Sequence, residues 1–259
     1  MAFVLPPRSE KPRDRGMTAV IDFGPDTLGW TGPRGVADML ECAAPYIDYA
    51  KIYAMNSLLM PEDAVRRIVA TYRDAEVMAY SGGILFEHAW RSDEVDGYRS
   101  LLDRVGLRAL EISENYITLT HDERMRLIDR FRNDGLSVIY EFGRKNPEAP
   151  FDPVELERIV RDATEAGAVH VIIEQSELDA VRAADPNALE SLAGCDWFRD
   201  VWIEADPFAF PRQHVALIDT FGPEVNLANV AAGQALRLEG LRRGIGRAVD
   251  YRMFPGENG

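Results

Sequence analysis

Short β-branched runs alternate along the chain with longer stretches whose apolar residues recur at helical spacing. Eight segments read as strands: residues 18–23, 47–53, 76–80, 108–113, 137–142, 169–174, 200–205 and 224–230. Most are nearly continuous apolar runs that finish on a polar residue, the pattern of a strand covered on both faces. Between them lie amphipathic segments at 33–44, 61–73, 93–105, 120–133, 152–166, 179–193, 210–221 and 232–244. Their ends carry helix signals. Pro61 followed by Glu62 and Asp63, and Asp152 followed by Pro153, mark first turns, and Thr120 with Glu123 three residues on spells a capping box. Gly106, Gly135, Gly167, Gly222 and Gly244 follow helical runs, where glycine best tolerates the left-handed turn.

Eight strand–helix units in strict alternation predict a parallel sheet. An open doubly wound sheet also alternates in this way, but the count of eight and the 259 residues favour a single (β/α)8 TIM-type barrel. Its expected bounds are 17–250. A proline-containing, mixed-charge segment over 1–16 reads as a flexible N-terminal arm, and 251–259 as a C-terminal tail.

The formal charge of −14, from 29 Lys+Arg against 43 Asp+Glu, argues against a nucleic-acid partner. It leaves small anions open, because a few local cations can hold them inside an acidic protein. No apolar run approaches the ~20 residues of a membrane span, and the first residues lack the apolar core of a secretion signal. A cytoplasmic protein with no membrane partner is therefore expected. Cys42 and Cys195 are far apart and read as small buried hydrophobes. His88, His121, His170 and His214 show no metal spacing, although His88 and His214 follow strands. Walker, dinucleotide-binding and nucleophile-elbow motifs are absent.

Barrel enzymes work at the C-terminal ends of their strands. In strand order the polar residues there are Asp22, Lys51, the pair Gly82-Gly83, then Glu111 with Ser113, and Glu141 followed by Arg144 and Lys145. Glu174, Glu204, Arg212 in the loop after the seventh strand, and Asn226 with Asn229 complete the set. Buried carboxylates in such number need compensation. Lys51 and Lys145 offset two charges, and a hard divalent ion such as Mg²⁺ would balance the rest, with Glu111, Glu141, Glu174 and Glu204 as candidate ligands. The bland alternative is a network of acids paired with Arg and Lys at the rim. Gly82-Gly83 fits a backbone that approaches an anion closely, and equally a plain turn.

These residues resemble a family. Pro12-Arg13 with Gly16 and Thr18, then Ile21-Asp22-Phe23-Gly24, are similar to the opening of the phosphosulfolactate synthases. Tyr46-Ile47-Asp48-Tyr49-Ala50-Lys51 resembles their second strand, and Gly82-Gly83-Ile84-Leu85-Phe86-Glu87 their Gly-Gly-Thr-Leu-Phe-Glu segment. Glu111-Ile112-Ser113, Glu141-Phe142-Gly143-Arg144-Lys145, Val171-Ile172-Ile173-Glu174, Val225-Asn226-Leu227-Ala228-Asn229 and Leu241-Arg242-Arg243-Gly244 follow in register. The resemblance implies a Mg²⁺-dependent barrel lyase that adds sulfite to phosphoenolpyruvate on a route to coenzyme M, and makes a homo-oligomer plausible. It implies Lys145 as the acid that protonates carbon, with Lys51 and Asp22 as further catalytic candidates. Gly82, Gly83, Ser113, Arg144, Arg212, Asn226 and Asn229 are the candidate substrate contacts.

Departures from the family pattern fall at the mouth. Phe23 stands where a lysine is usual, Ile84 replaces threonine, and Ile52-Tyr53-Ala54-Met55-Asn56-Ser57 replaces a glycine-containing turn. Gln175-Ser176-Glu177-Leu178-Asp179 and Asp206-Pro207-Phe208-Ala209-Phe210-Pro211-Arg212 replace loops richer in positive charge. Three readings follow: the original reaction, the same scaffold acting on a less anionic substrate, and a non-catalytic barrel like the plant heat-stress-associated proteins that also resemble this family.

Overall fold

The computed structural model describes residues 4–185 and 187–254. Residues 1–3 of the expected arm and 255–259 of the expected tail lie outside the described residues. Eight strands form the barrel: β1 (Thr18–Asp22), β2 (Tyr49–Ile52), β3 (Met78–Ser81), β4 (Ala109–Ile112), β5 (Ser137–Phe142), β6 (Ala168–Ile173), β7 (Trp202–Glu204) and β8 (Asn226–Ala231). All neighbours are parallel, each strand pairs with the next, and β1 closes the ring against β8.

Helices α1 (Pro33–Ala43), α2 (Glu62–Asp74), α3 (Gly83–Arg91), α4 (Val95–Val105), α5 (His121–Asn133), α6 (Pro153–Ala166), α7 (Gln175–Ala184), α8 (Ala188–Ala193), α9 (Arg212–Phe221) and α10 (Ala235–Arg242) form the outer layer. The cap signals act as expected: Thr120 and Glu123 form the capping box of α5, and Asp152 accepts from Val154 N at the start of α6. Gly106 and Gly167 end their helices in the left-handed region, at φ +82° and +112°. Two features differ from expectation. The segment after β3 is a helix, α3, with Gly82 as its N-cap rather than part of a loop. The helical segment 179–193 is divided into α7 and α8.

Successive side chains of a strand face opposite sides. Ala19, Tyr49, Tyr80, Ala109, Ile139, Ile172, Trp202 and Ala228 pack with Met17 inside the lower barrel. Residues one step along, such as Val20, Ala50, Leu110, Val138 and Ile203, pack outward against the helices. Full burial of apolar side chains such as Ile139 and Ile172 contributes about 2–3 kcal/mol each, and so offsets part of the cost of charge buried above them. Two residues further up, the same interior face carries Lys51, Glu111, Glu141, Glu174 and Glu204.

The segment read as a flexible arm is pinned to the N-terminal end of the barrel over its described part. Lys11 Nζ donates to the carbonyls of Ala44, Ile47 and Glu76 at 3.3, 2.7 and 2.9 Å. Arg13 Nε lies 3.1 Å from Asp48 Oδ1, and Arg8 pairs with Glu224 and Glu239. Strand starts leave carbonyls and acids exposed there, and the basic residues of the arm satisfy them. Among the described residues, no helix is long and apolar enough to cross a membrane.

Candidate active site

Strand periodicity brings Lys51 and four glutamates into one layer at the mouth, and the loop after β5 adds Lys145. Lys51 Nζ sits 2.7 Å from Glu111 Oε2 and 3.4 Å from Glu141 Oε2. Lys145 Nζ donates closely to Glu174 Oε2 and, at 2.9 Å, to Glu204 Oε1. Glu141, Glu174 and Glu204 each offer an oxygen within 4.8 Å of the others'. The Lys51 side chain is 6% exposed and that of Lys145 37% exposed, so Lys145 is the member a ligand from solvent reaches first. Gly143 makes this possible. At φ +115° it turns the chain back over β6, and a Cβ there would meet the Glu177 side chain and lie 2.9 Å from Glu174 Cβ.

The electrostatics of the layer are unbalanced. Burial pushes Glu111 up to about 7, although Lys51 pulls the other way. Burial, reinforced by the charge of Glu174, pushes Glu204 up to about 7 as well. Glu141 is raised by burial. Burial opposes the charge on both lysines, but Glu111 and its neighbours hold Lys51 well above the ordinary lysine value, and Glu204, Glu141 and Glu174 do the same for Lys145. Both ammonium groups therefore stay protonated while four carboxylates compete for them. Glu204 Oε2 is buried and has no hydrogen-bond partner. An orphaned oxygen beside a triad of hard donors fits a small divalent cation, which would favour the ionised carboxylates.

The other expected site residues are placed unevenly. Asp22 faces the helical layer, on the same side of β1 as Val20. Its Oδ1 accepts from Gly24 N at 2.8 Å and from Thr31 Oγ1, and its Oδ2 from Tyr72 OH at 2.9 Å. It organises the loop after β1 instead of joining the lysines. The N–H groups of the glycine pair are also taken: Gly82 N donates to Ile52 O at 3.1 Å and Gly83 N to Glu111 Oε1 at 2.8 Å. A Cβ on Gly83 would clash with Ser113 and lie 2.9 Å from Glu111 Oε1, so the glycine serves this internal contact and not an anion cradle. Ser113 Oγ donates to Glu87.

Asn226 lies at the opposite end of the barrel, accepting from Met17 N at 3.0 Å and donating to Arg199 O at 3.0 Å. Asn229 is at the mouth, in the irregular stretch of β8, with φ +57° and a buried Oδ1 that has no partner. Arg144 is exposed and donates to Thr118 Oγ1 at 2.7 Å. Arg212 is exposed at the start of α9. His88 is exposed on α3, and His214 is buried against Phe210. Cys42, expected to be buried, is exposed on the outer helix α1.

Two residues escaped the sequence reading as site residues. Asn115 Nδ2 donates to Glu141 Oε1 at 2.8 Å from the loop after β4. Glu87 accepts from Asn115 N at 2.9 Å and Tyr116 N at 2.8 Å and so holds that loop in place. Asn115 has no periodic signal, since it lies beyond the strand. Glu87 stands in the quoted Gly-Gly-Ile-Leu-Phe-Glu segment, which was the available clue.

The family model of (2R)-phospho-3-sulfolactate synthase (ComA) matches residues 6–247. The phosphosulfolactate synthase of Methanothermobacter thermautotrophicus is 33% identical over 255 residues, covering 94% of each chain. That of Bacillus subtilis is 29% identical over 248 residues, covering 93% of this chain and 94% of its own. Among solved structures, a dihydrodipicolinate synthase from Agrobacterium tumefaciens superposes with a TM-score of 0.55 at 13% identity, covering 93% of this chain and 77% of that one. That likeness is one of barrel fold.

Proposed function

We propose, from the premise that this chain belongs to the (2R)-phospho-3-sulfolactate synthase family, that its mouth adds sulfite to the terminal carbon of phosphoenolpyruvate in a Mg²⁺-dependent conjugate addition. One observation carries the reading: a protonated lysine at the open edge of a buried, under-compensated glutamate layer. The new carbon–sulfur bond forms at the methylene carbon. The electron pair of the double bond moves to the adjacent carbon and spreads into the substrate carboxylate. Lys145 stands at the open edge as the general acid that delivers a proton to that carbon, and recovers one from solvent. Lys51, fixed between Glu111 and Glu141, holds the substrate carboxylate by charge from below. Glu141, Glu174 and Glu204 would hold Mg²⁺, which when bound supplies Lewis-acid stabilisation of the developing carboxylate charge.

Glu111 and Glu87 act through other groups. Glu111 fixes Lys51 and the start of α3, and Glu87 fixes the loop that carries Asn115. The test is direct. Purified protein with Mg²⁺, phosphoenolpyruvate and sulfite should convert the enol phosphate resonance to that of a saturated phosphate ester by phosphorus NMR. No conversion at millimolar reactants over hours would refute the reading.

A further inference from the structure

Three aromatic rings rise from three different mouth loops and meet. Phe23 follows β1, Tyr53 follows β2, and Phe208 lies in the loop after β7. The Phe23 ring centroid is 4.7 Å from that of Tyr53 and 6.2 Å from that of Phe208. Tyr53 is 42% exposed and Phe208 75% exposed, so the cluster presents apolar surface to water above the charged layer. Tyr53 follows the last residue of β2, two positions beyond the inward-facing Lys51, and Phe23 follows the outward-facing Asp22 at the end of β1. In the ring of strands, β8 lies between β1 and β7, and it carries Asn229 with its orphaned Oδ1. The unpaired Glu204 Oε2 stands on β7.

The wall is built, not incidental. Asn56 Nδ2 donates to Phe23 O at 2.9 Å and Tyr53 N to Asp22 O at 3.1 Å, which ties the first two loops together. Phe208 N donates to Asp206 Oδ1 at 2.8 Å, and Gln234 Nε2 to Pro207 O at 3.0 Å, which fixes the third. These bonds fix the loop backbones that carry the rings, so little main-chain freedom is lost when a ligand covers them. Below them Lys51 and Lys145 call for an anionic ligand group, and the acceptor oxygens of Asn229 and Glu204 for a donor or a cation beside it. The ligand that satisfies both halves has a polar acid head and an apolar, ring-sized substituent.

We propose that the mouth selects an enol or enoyl acid bearing an aromatic or branched apolar substituent, with Phe23, Tyr53 and Phe208 as the specificity-determining residues. The inference rests on the mouth being the substrate site, as set out above. It names the substituent that the mouth prefers on the enol acid; phosphoenolpyruvate remains an accepted substrate, and the addition chemistry is as set out above.

Calorimetric binding in the presence of Mg²⁺ tests it with two probes, phosphoenolpyruvate and the enol phosphate of phenylpyruvate. The aryl probe should bind about tenfold or more tightly, the gain expected for covering one ring. Phe208→Ala and Tyr53→Ala alter exposed side chains and spare the core, and each should bring the ratio of the two affinities close to one. Equal or weaker binding of the aryl probe by the unaltered protein would overturn the inference alone, as would a ratio unchanged in both variants. Failure of both probes to bind, or binding of both unaffected by Lys51→Met, would overturn the reading of the mouth as well.

Discussion

The two ends of this barrel carry charge on opposite terms. At the N-terminal end, Lys11 donates to three carbonyls, Arg13 pairs with Asp48, and Arg242 donates to Pro223 O and Val225 O at 2.6 and 2.7 Å. Cations there meet groups that the strand starts leave unsatisfied. At the C-terminal end four buried glutamates share two lysines, two of the acids titrate near 7, and Glu204 Oε2 has no partner. The first end pairs most of its charge with fixed protein groups, although Arg242 Nε is buried without a hydrogen-bond partner. The other holds acids that protons or a bound cation must balance, and such an imbalance is what marks a working site.

Lys145→Ala is the sharpest way to break that contrast. If the mouth lysine is an acid catalyst, kcat should fall about a thousandfold, within the usual range for a removed general acid. Initial rates of phosphate-ester formation at saturating reactants would measure it. Unchanged turnover would make the mouth a structural ion network like the floor.

The glutamate layer was legible in the sequence because its acids stand at the C-terminal ends of apolar runs; in the fold Glu111, Glu141 and Glu204 sit two beyond the inward-facing Ala109, Ile139 and Trp202. Strand-end position alone misplaced Asp22. A strand buried on both faces has no polar marker of phase: Ala19 points in and Val20 out, and both are apolar. Asn226 was misplaced along the other axis, since pattern tells which face a residue is on but not how near it lies to either end. Gly82-Gly83 signalled a close backbone approach correctly, yet the partner was Glu111, 28 residues on, which only the closed fold reveals. Helix α3 hid behind the same glycines.

The raised acids give the next contrast, in pH. Glu111 and Glu204 are pushed from an ordinary value of 4.5 to about 7 in the folded protein. Between those values the folded state binds more protons than the unfolded one. Their contribution is therefore full below the unfolded value and lost as pH rises through about 7. Metal-free protein should lose on the order of 5 kcal/mol from pH ~5 to pH ~8, seen as a falling melting temperature. Millimolar Mg²⁺ should reverse most of the loss at the upper end, because it binds the ionised acids. Glu204→Gln should flatten the pH profile and weaken the metal response. A profile that is flat in the unaltered protein would remove the electrostatic distinction between the two ends.

The smallest effect is expected at the floor, and it tests the contrast from the other side. Lys11→Met keeps the aliphatic stem and removes the donors to Ala44, Ile47 and Glu76. These bonds stitch the N-terminal segment to the residues that precede β2 and β3, so their loss should lower unfolding stability. Lys11 is only partly buried, and its value is lowered mainly by that burial, so water replaces part of what is lost. The cost should be about 1–2 kcal/mol in urea titration. Turnover should stay within about twofold, because the apolar layer of Tyr49, Ile139, Ile172 and Trp202 separates Lys11 from the glutamates. A large loss of activity at unchanged stability would mean that the floor reports to the mouth through that layer, and the two ends would then have to be treated as one electrostatic unit.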